Sequence, residues 1–153
     1  MSSKTQLCTF FVGDLFLGVE VEKVQEVIRY QKMTRVPLAS SVVGGLINLR
    51  GQIVTAIDLR RLMGVATRET DDFPMNAVIR TEGGATSLLV DEIGDVVDVD
   101  DEDFEPVPDT LSREGRQLLK GVYKLDSRLL MHLDAEKTID ISEHMGTRTT
   151  KLN

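Results

Sequence analysis

The sequence lacks tryptophan altogether, and aromatic residues make up only 5% of its 153 residues. The apolar share is nevertheless 41%, and Val, Ile and Leu supply most of it, which favours strands over helices. A chain of this length and apolar content can build one domain, or two small subdomains that share a core. Disorder of the whole chain is excluded, because long β-branched runs interrupt the charged residues.

Positive charge and cysteine are also in short supply. The 18 Lys and Arg residues face 25 Asp and Glu residues, a net charge of −7. This balance argues against binding to nucleic acid, whose phosphates need a basic face. Cys8 is the only cysteine, so an internal disulfide is impossible, which fits a reducing compartment. The N-terminal apolar residues alternate with polar ones, so we expect no signal peptide or membrane span but a soluble, cytoplasmic protein.

Motifs for catalysis or for cofactor binding are missing. The sequence contains neither a Walker motif nor a G-x-S-x-G motif. His132 and His144 do not have the spacing of metal ligands. We expect His132, within the strand-like "LLMHLD", to be a packed or half-exposed strand residue, and His144 to be solvated. The sequence therefore predicts no catalytic residue, no metal site and no cofactor.

The acidic run "DEIGDVVDVDDEDFEPVP" could suggest a calcium loop. A loop that started at Asp98 would carry Asp103 where a glycine is needed for the turn, and Asp109 where a bidentate glutamate is needed. We therefore interpret the run as a solvated linker between strands, whose charge opposes edge-to-edge pairing.

Apolar segments recur at spacings of roughly ten residues, with glycine-containing turns between them, a rhythm that indicates barrels or sandwiches. Gly13 and Asp14 lie between two such segments and predict a hairpin. The further predicted strands are "VQEVIRY", "GLINL", "QIVTAIDL", "NAVIRT", "TSLLVDEI", "VVDVD", "GVYKL" and "RLLMHLD".

Helical signals are few and short. Asp58 can cap a helix over "LRRLM" that ends at Gly64, and Ser112 can cap "REGRQLLK". A third short helix can follow Asp134 through "AEKTIDISEHM". We place the domain at 7–147 and interpret 148–153 as a polar C-terminal tail.

The two halves of the chain resemble each other in three blocks that keep the same order. The matched blocks are "VEKVQEVI" from Val21 with "VDEIGDVV" from Val90, "RVPL" around Pro37 with "PVPD" around Pro108, and "GLINLRGQIVTAID" from Gly45 with "GVYKLDSRLLMHLD" from Gly121. Two β-meanders of similar strand length could match in this way by chance. We favour two similar β-subdomains, each too small to be stable alone, which pack together to form a shared core and a cleft.

The turn "LRGQ" places Arg50 at the tip of an otherwise apolar hairpin, where the second half has Asp126 and Ser127. Gly51 has a structural explanation, because tight hairpins often need a residue at positive φ. Arg50 has two compatible interpretations. It can pair with a carboxylate of the first half, for which Glu26 is the candidate, or it can anchor a partner at the cleft.

These residues carry a resemblance to a known family. "FFVGDLFLGVEVEKVQEVI", then "VP", then "GLINLRGQIVTAIDLRRLMG" resembles CheW, the coupling protein of bacterial chemotaxis. The resemblance extends from about Leu7 to Leu133, and its most specific element is the run around Arg50. Thr55 departs from the pattern, since many relatives have proline there.

The resemblance implies a mainly β fold of two SH3-like five-stranded β-barrels, intertwined and packed on a shared core, with short helices. It also implies a non-catalytic scaffold that couples the cytoplasmic tips of methyl-accepting chemoreceptors to the regulatory domain of the histidine kinase CheA. Val24, Glu26, Gly45 and Arg50 match the motif positions associated with receptor binding. The kinase-contacting residues are not specified by the resemblance. Such a scaffold would be cytoplasmic and recruited to receptor arrays at the inner face of the membrane.

Two alternatives stay open. The first is a CheW-like adaptor of a non-flagellar array, such as one that governs pilus motility, because the difference would lie in the surfaces of the partners. The second is a small β-barrel ligand-binding protein or enzyme that uses the cleft, which would need a cluster of converging polar residues.

Overall fold

A computed structural model describes residues 3–66 and 74–151 of the chain. Within these ranges it contains eleven β-strands and three α-helices. The strands are β1 (Lys4–Val12), β2 (Leu15–Glu20), β3 (Val24–Ile28), β4 (Val43–Leu49), β5 (Gln52–Asp58), β6 (Met75–Thr81), β7 (Gly84–Val90), β8 (Glu92–Asp100), β9 (Phe104–Glu105), β10 (Leu119–Lys124) and β11 (Leu129–Leu133). The helices are α1 (Leu59–Leu62), α2 (Arg113–Arg116) and α3 (Ala135–Lys151), and none of these is both long and apolar enough to cross a membrane.

The strands form two mixed sheets. One has the order β8-β1-β2-β11-β10-β9, and the other has the order β3-β6-β7-β5-β4. Each sheet contains one parallel pair, β2 with β11 and β5 with β7, while the other pairs are antiparallel. The prediction of a mainly β fold is confirmed, although the two-residue β9 adds a sixth strand to one sheet.

The two halves of the chain exchange their first hairpins. The hairpin β1–β2 pairs with β8 and β11 of the second half, and the hairpin β6–β7 pairs with β3 and β5 of the first half. The repeat found in the sequence is confirmed by matching strand pairs in the two halves. Thr34 forms a β-bridge with Leu46, and the corresponding residues of the second half, Glu105 and Val122, are also paired. Neither half completes a sheet by itself.

The main apolar core lies where the two halves meet. It buries side chains from strands and helices of both halves, among them Phe10, Leu17, Val42, Ile57, Leu59, Leu88, Leu118, Val122 and Leu133. A smaller apolar cluster that includes Ile47 and Val78 packs inside the barrel of the five-stranded sheet. Another, which includes Leu7 and Leu130, packs inside the barrel of the six-stranded sheet. Burial of apolar surface in a shared core couples the stability of the two barrels.

The first predicted helix is confirmed. The Asp58 side chain accepts hydrogen bonds from the backbone N–H groups of Arg60 and Arg61, and Gly64 follows α1 with a φ of 73°. A carboxylate at this position satisfies amide groups that have no partner inside the helix.

The other two helices differ in length from the prediction. The Ser112 hydroxyl accepts the N–H of Gly115 as expected, but α2 ends at Arg116 because Leu118 and Leu119 turn into the core and Leu119 begins β10. Asp134 caps the start of α3 by accepting the N–H of Lys137. This helix extends to Lys151, six residues beyond the predicted helix "AEKTIDISEHM", and so includes 148–151 of the polar tail.

The acidic run is a strand over much of its length, which agrees with the predicted strands "TSLLVDEI" and "VVDVD", while the interpretation of this part as a solvated linker is wrong. Glu92–Asp100 forms β8, which pairs with β1 along most of its length. Val99 in "VVDVD" is buried, as a strand that packs on one face requires. β8 is an edge strand, and exposed carboxylates such as Asp95 and Asp98 oppose pairing with another edge.

One buried carboxylate joins the exchanged hairpin to the second half. Glu20 Oε1 on β2 lies 2.7 Å from His132 Nε2 on β11 and 3.0 Å from Lys120 Nζ on β10. The prediction that His132 is a packed strand residue is confirmed, because it is buried. Burial favours the neutral form of Glu20, but hydrogen bonds from His132 and Lys120 outweigh it and lower the pKa of Glu20 to about 2.

We predict that Glu20→Gln destabilises the protein in a pH-dependent way. The folded-state pKa lies below the ordinary 4.5, so the ionised carboxylate stabilises the fold above pH 4.5, and this contribution is lost as the pH falls toward 2. We expect a loss on the order of 2 kcal/mol at pH 7, since Lys120 is partly screened by solvent. Urea unfolding followed by circular dichroism, at steps from pH 7 to pH 3, measures it. A difference from wild type that stays constant across these steps would contradict the assignment.

Candidate functional site

The β4–β5 hairpin ends in a two-residue turn. Leu49 pairs with Gln52, so the turn consists of Arg50, with a φ of 55°, and Gly51, with a φ of 85°. Two residues at positive φ define a type I′ turn, which prefers Asn-Gly. The N–H of Gly51 donates to Asn48 Oδ1 at 2.9 Å, which fixes the turn. An arginine at this position is strained, and such strain is commonly found at functional sites.

Arg50 forms an ion pair with Glu26, as one interpretation of the sequence predicts. Arg50 Nη2 donates to Glu26 Oε2 at 2.8 Å, and the two side chains are 79% and 17% exposed. Glu26 lies on β3 and Arg50 follows β4, the two strands at opposite edges of the five-stranded sheet. The pair can form only because the sheet curls until these edges approach each other.

The Glu26 carboxylate is only partly satisfied by this pair. Its Oε1 atom is buried and has no hydrogen-bond partner in the part of the chain that the structure describes. A buried oxygen without a donor is costly unless another group completes its hydrogen bonding.

Val24 and Gly45 occupy different positions around this ion pair. Val24 lies two residues before Glu26 on β3, is half-buried, and packs against the main core. A Cβ atom on Gly45 would lie 2.9 Å from the oxygen of Thr34 and 3.0 Å from Cβ of Met33. Thr34 and Leu46 exchange two backbone hydrogen bonds of 2.8 Å beside this contact. Gly45 thus lets the segment after β3 lie against β4, so its effect on a surface would be indirect.

A groove that the sequence analysis missed lies beside this segment. Its volume is about 700 Å³, and residues 35–41 form one wall while the start of α1 forms the other. Leu38 is exposed at a φ of 67°, a strained conformation for a leucine. The sequence did not predict the groove, because no spacing of residues in this segment indicates a concave surface.

The guanidinium group of Arg60 at the groove is already engaged. Arg60 Nε and Nη2 donate to the two oxygens of Asp91 at 2.8 and 2.6 Å, and the N–H of Gly13 donates to Asp91 Oδ2 at 2.6 Å. Arg60 also donates to the oxygen of Ala66. The hydrogen bonds to Asp91 raise the pKa of Arg60. Asp91 is predicted as part of one strand with β7 and β8, but it separates them and ties the hairpin turn at Gly13 to α1.

The described residues contain no group of three His, Cys, Asp or Glu side chains placed to hold a metal ion. The described site consists of the Arg50–Glu26 and Arg60–Asp91 ion pairs and a groove beside them. The two intertwined sheets place the chain in the class of β proteins built from two SH3-like barrels. The exposed, strained turn at Arg50 is carried by the barrel of the five-stranded sheet.

The family follows from comparison with known proteins. Residues 6–143 match the family model described as the CheW-like domain, and the chain belongs to this family. Among curated relatives, the chemotaxis protein CheW of Rhizobium meliloti is 28% identical over 90% of this chain and 89% of its own length. The chemotaxis protein CheW of Bacillus subtilis is 28% identical over 88% of this chain and 86% of its own length.

Two further similarities are informative. The crystal structure of the scaffolding protein TtCheW from Thermoanaerobacter tengcongensis aligns with a TM-score of 0.77 at 24% identity, over 86% of this chain and 90% of that one. This likeness supports the two-barrel fold. Protein FrzA of Myxococcus xanthus is 41% identical over 54 residues, which are 35% of this chain and 34% of FrzA.

We predict that Gly45→Ala destabilises the protein by about 1–3 kcal/mol, because the added methyl group meets backbone and cannot be accommodated without a shift. Urea unfolding measures the loss. Gly83→Ala is the matched control, since the nearest atom to a Cβ there is Thr81 Oγ1 at 3.9 Å and Gly83 is not at positive φ. Equal losses for the two variants would contradict the close approach at Gly45.

We predict that Arg50→Asn in a Glu26→Gln background, where no buried carboxylate is left without its donor, raises the free energy of unfolding by about 0.5–1 kcal/mol relative to Glu26→Gln alone. The change relieves the strain of an arginine at positive φ, and the ion pair is already weakened in this background. Urea unfolding of the double variant and of Glu26→Gln tests the prediction. A double variant that is less stable than Glu26→Gln alone would show that the strain does not dominate the turn.

Proposed function

We propose that the chain is a non-catalytic scaffold that couples methyl-accepting chemoreceptors to the histidine kinase CheA in a chemotaxis array. The observation that carries the proposal is the Arg50 turn, where a strained, exposed cation is held by Glu26 on a rigid hairpin. Membership of the CheW-like family supports the proposal, as do curated relatives named chemotaxis proteins and a similar structure titled as a scaffolding protein.

The receptor surface in this proposal includes Val24, Glu26, Gly45 and Arg50. Arg50 and Glu26 present a fixed charge pair, in which the guanidinium faces solvent and the second carboxylate oxygen has no described partner. A polar group of the receptor tip could complete the hydrogen bonding of both side chains. Val24 would contribute apolar surface, and Gly45 would set the position of the adjoining Met33–Thr34 segment.

The mechanism in this proposal is geometric coupling. Receptor tips bind weakly and reversibly, kinase regulatory domains and scaffolds alternate in the array, and multivalency turns these contacts into a stable assembly. A shift at the receptor tip then biases the kinase between its active and inactive states. The scaffold works in the cytoplasm, recruited to receptors at the inner face of the membrane.

A second candidate function is that of a CheW-like adaptor in a non-flagellar array, for example one that controls pilus motility. The observation behind it is the local match of 41% over 54 residues to protein FrzA of Myxococcus xanthus, which, unlike the two CheW relatives described above, is not named a chemotaxis protein. Reconstitution with receptor and kinase from each candidate array distinguishes the two, since the cognate set should show the stronger activation.

We predict that Arg50→Glu gives a folded protein that loses most receptor-dependent kinase activation. The change replaces the exposed guanidinium with a carboxylate and repels Glu26. Co-sedimentation with receptor-containing membranes and CheA, with kinase activity as the readout, measures the effect. Unchanged activation by Arg50→Glu would remove Arg50 from the receptor surface.

The double variant Arg50→Glu with Glu26→Arg extends the test. Recovery of binding in the double variant indicates that the pair acts as a unit, whereas continued loss indicates that Arg50 contacts the receptor directly. Failure of the wild-type protein to co-sediment with receptor and kinase, together with binding of a small molecule, would favour a ligand-binding function instead.

A further inference from the structure

The second hairpin, β10–β11, also presents an arginine at its turn. The strand pairing ends one pair earlier than in β4–β5, at Lys124 with Leu129, so four residues connect the strands, and within them the N–H of Leu125 donates to the oxygen of Arg128 at 3.0 Å. Asp126 and Ser127 occupy the positions that correspond to Arg50 and Gly51, and Arg128 follows them. The comparison of the halves in the sequence assigned an arginine to one turn only, but the structure places one at each.

Arg128 is held by aromatic rings of the exchanged hairpin. Its guanidinium carbon lies 4.1 Å from the ring centre of Phe16 on β2 and 5.4 Å from that of Phe11 on β1. The two rings stack on each other, with their centres 4.9 Å apart and an angle of 25° between their planes. We call Arg128, Phe11 and Phe16 the arginine platform.

The arginine platform presents an unpaired cation to solvent. Arg128 is exposed, and no carboxylate or other acceptor from the described residues forms an ion pair or a side-chain hydrogen bond with it. The rings cover part of the guanidinium but cannot accept its in-plane N–H groups as a carboxylate does.

This arrangement suits the capture of a carboxylate from another protein. A guanidinium matches a carboxylate in a two-point geometry, and arginine is enriched among residues that dominate interfaces. The contact with the rings restricts the side chain in advance, which lowers the entropic cost of binding. An exposed cation–π contact contributes only about 0.5–1 kcal/mol to stability, so the fold does not depend on it.

We propose that the arginine platform is a second docking surface, which binds carboxylate side chains of the histidine kinase. The inference rests on the proposed function, because a scaffold must hold two partners at the same time. Arg50 belongs to the five-stranded sheet and the arginine platform to the six-stranded sheet, so the two arginines lie on different barrels. The shared core holds the barrels together and lets binding at one bias the other.

The experiment compares Arg128→Glu, Arg128→Lys and Arg50→Glu in the full-length protein. Binding to full-length CheA and to receptor-containing membranes is measured separately for each variant, at low and at high salt. We expect Arg128→Glu to weaken kinase binding about tenfold or more and to leave receptor binding unchanged. We expect Arg50→Glu to do the reverse, and Arg128→Lys, which keeps the charge but loses the planar fork, to lie between wild type and Arg128→Glu.

The outcomes separate this inference from the proposed function. If wild type binds neither partner, the proposed function fails. If wild type binds both and Arg128→Glu binds the kinase as tightly as wild type does, the inference alone is overturned. Thermal unfolding of each variant provides the structural control. If Arg128→Glu is unfolded, the test rests on Arg128→Lys. Kinase binding by Arg128→Lys that equals wild type, with the same salt dependence, would then overturn the inference.

Discussion

The exchange of hairpins between the two halves is the constraint on which the rest of the structure depends. Because β2 pairs in parallel with β11, and β7 with β5, each sheet needs strands from both halves of the chain. The main core therefore forms only when both halves fold together, and its burial stabilises both sheets at once. This exchange also fixes the relative positions of the two hairpin turns, so a partner bound at one turn has a defined place relative to the other.

Buried charge reinforces the exchange at two points. Glu20 ties the end of the first hairpin to β10 and β11 through Lys120 and His132. Asp91 ties the turn of the same hairpin, at Gly13, to Arg60 on α1. A buried carboxylate that lost its partners would be costly, so these contacts disfavour other pairings of the strands more than they add net stability. They locate the hairpin, and the hairpin in turn carries the rings beneath Arg128.

The two hairpin turns show how one scaffold can be used in two ways. In the first half a two-residue turn holds Arg50 in a strained conformation, and Glu26 from the opposite sheet edge orients it. In the second half a longer turn avoids that strain, and Phe16 from the exchanged hairpin lies against Arg128. The backbone repeats, while the groups that hold each arginine come from different strands and differ in chemistry. Duplication of the frame thus leaves the two turns free to differ in chemistry.

The sequence by itself determined the class of fold, the internal repeat, and the positions of most strands and helix starts. Alternating β-branched residues indicated the strands, Asp58 with Gly64 marked α1, and Glu26 could be named as the candidate partner of Arg50. Which hairpin pairs with which sheet is a long-range choice that side-chain patterns within a strand do not encode. For this reason only the tertiary structure revealed the pairing of the acidic strand β8 with β1, the close approach at Gly45 and the rings under Arg128, each of which depends on residues far apart in the chain meeting in the fold.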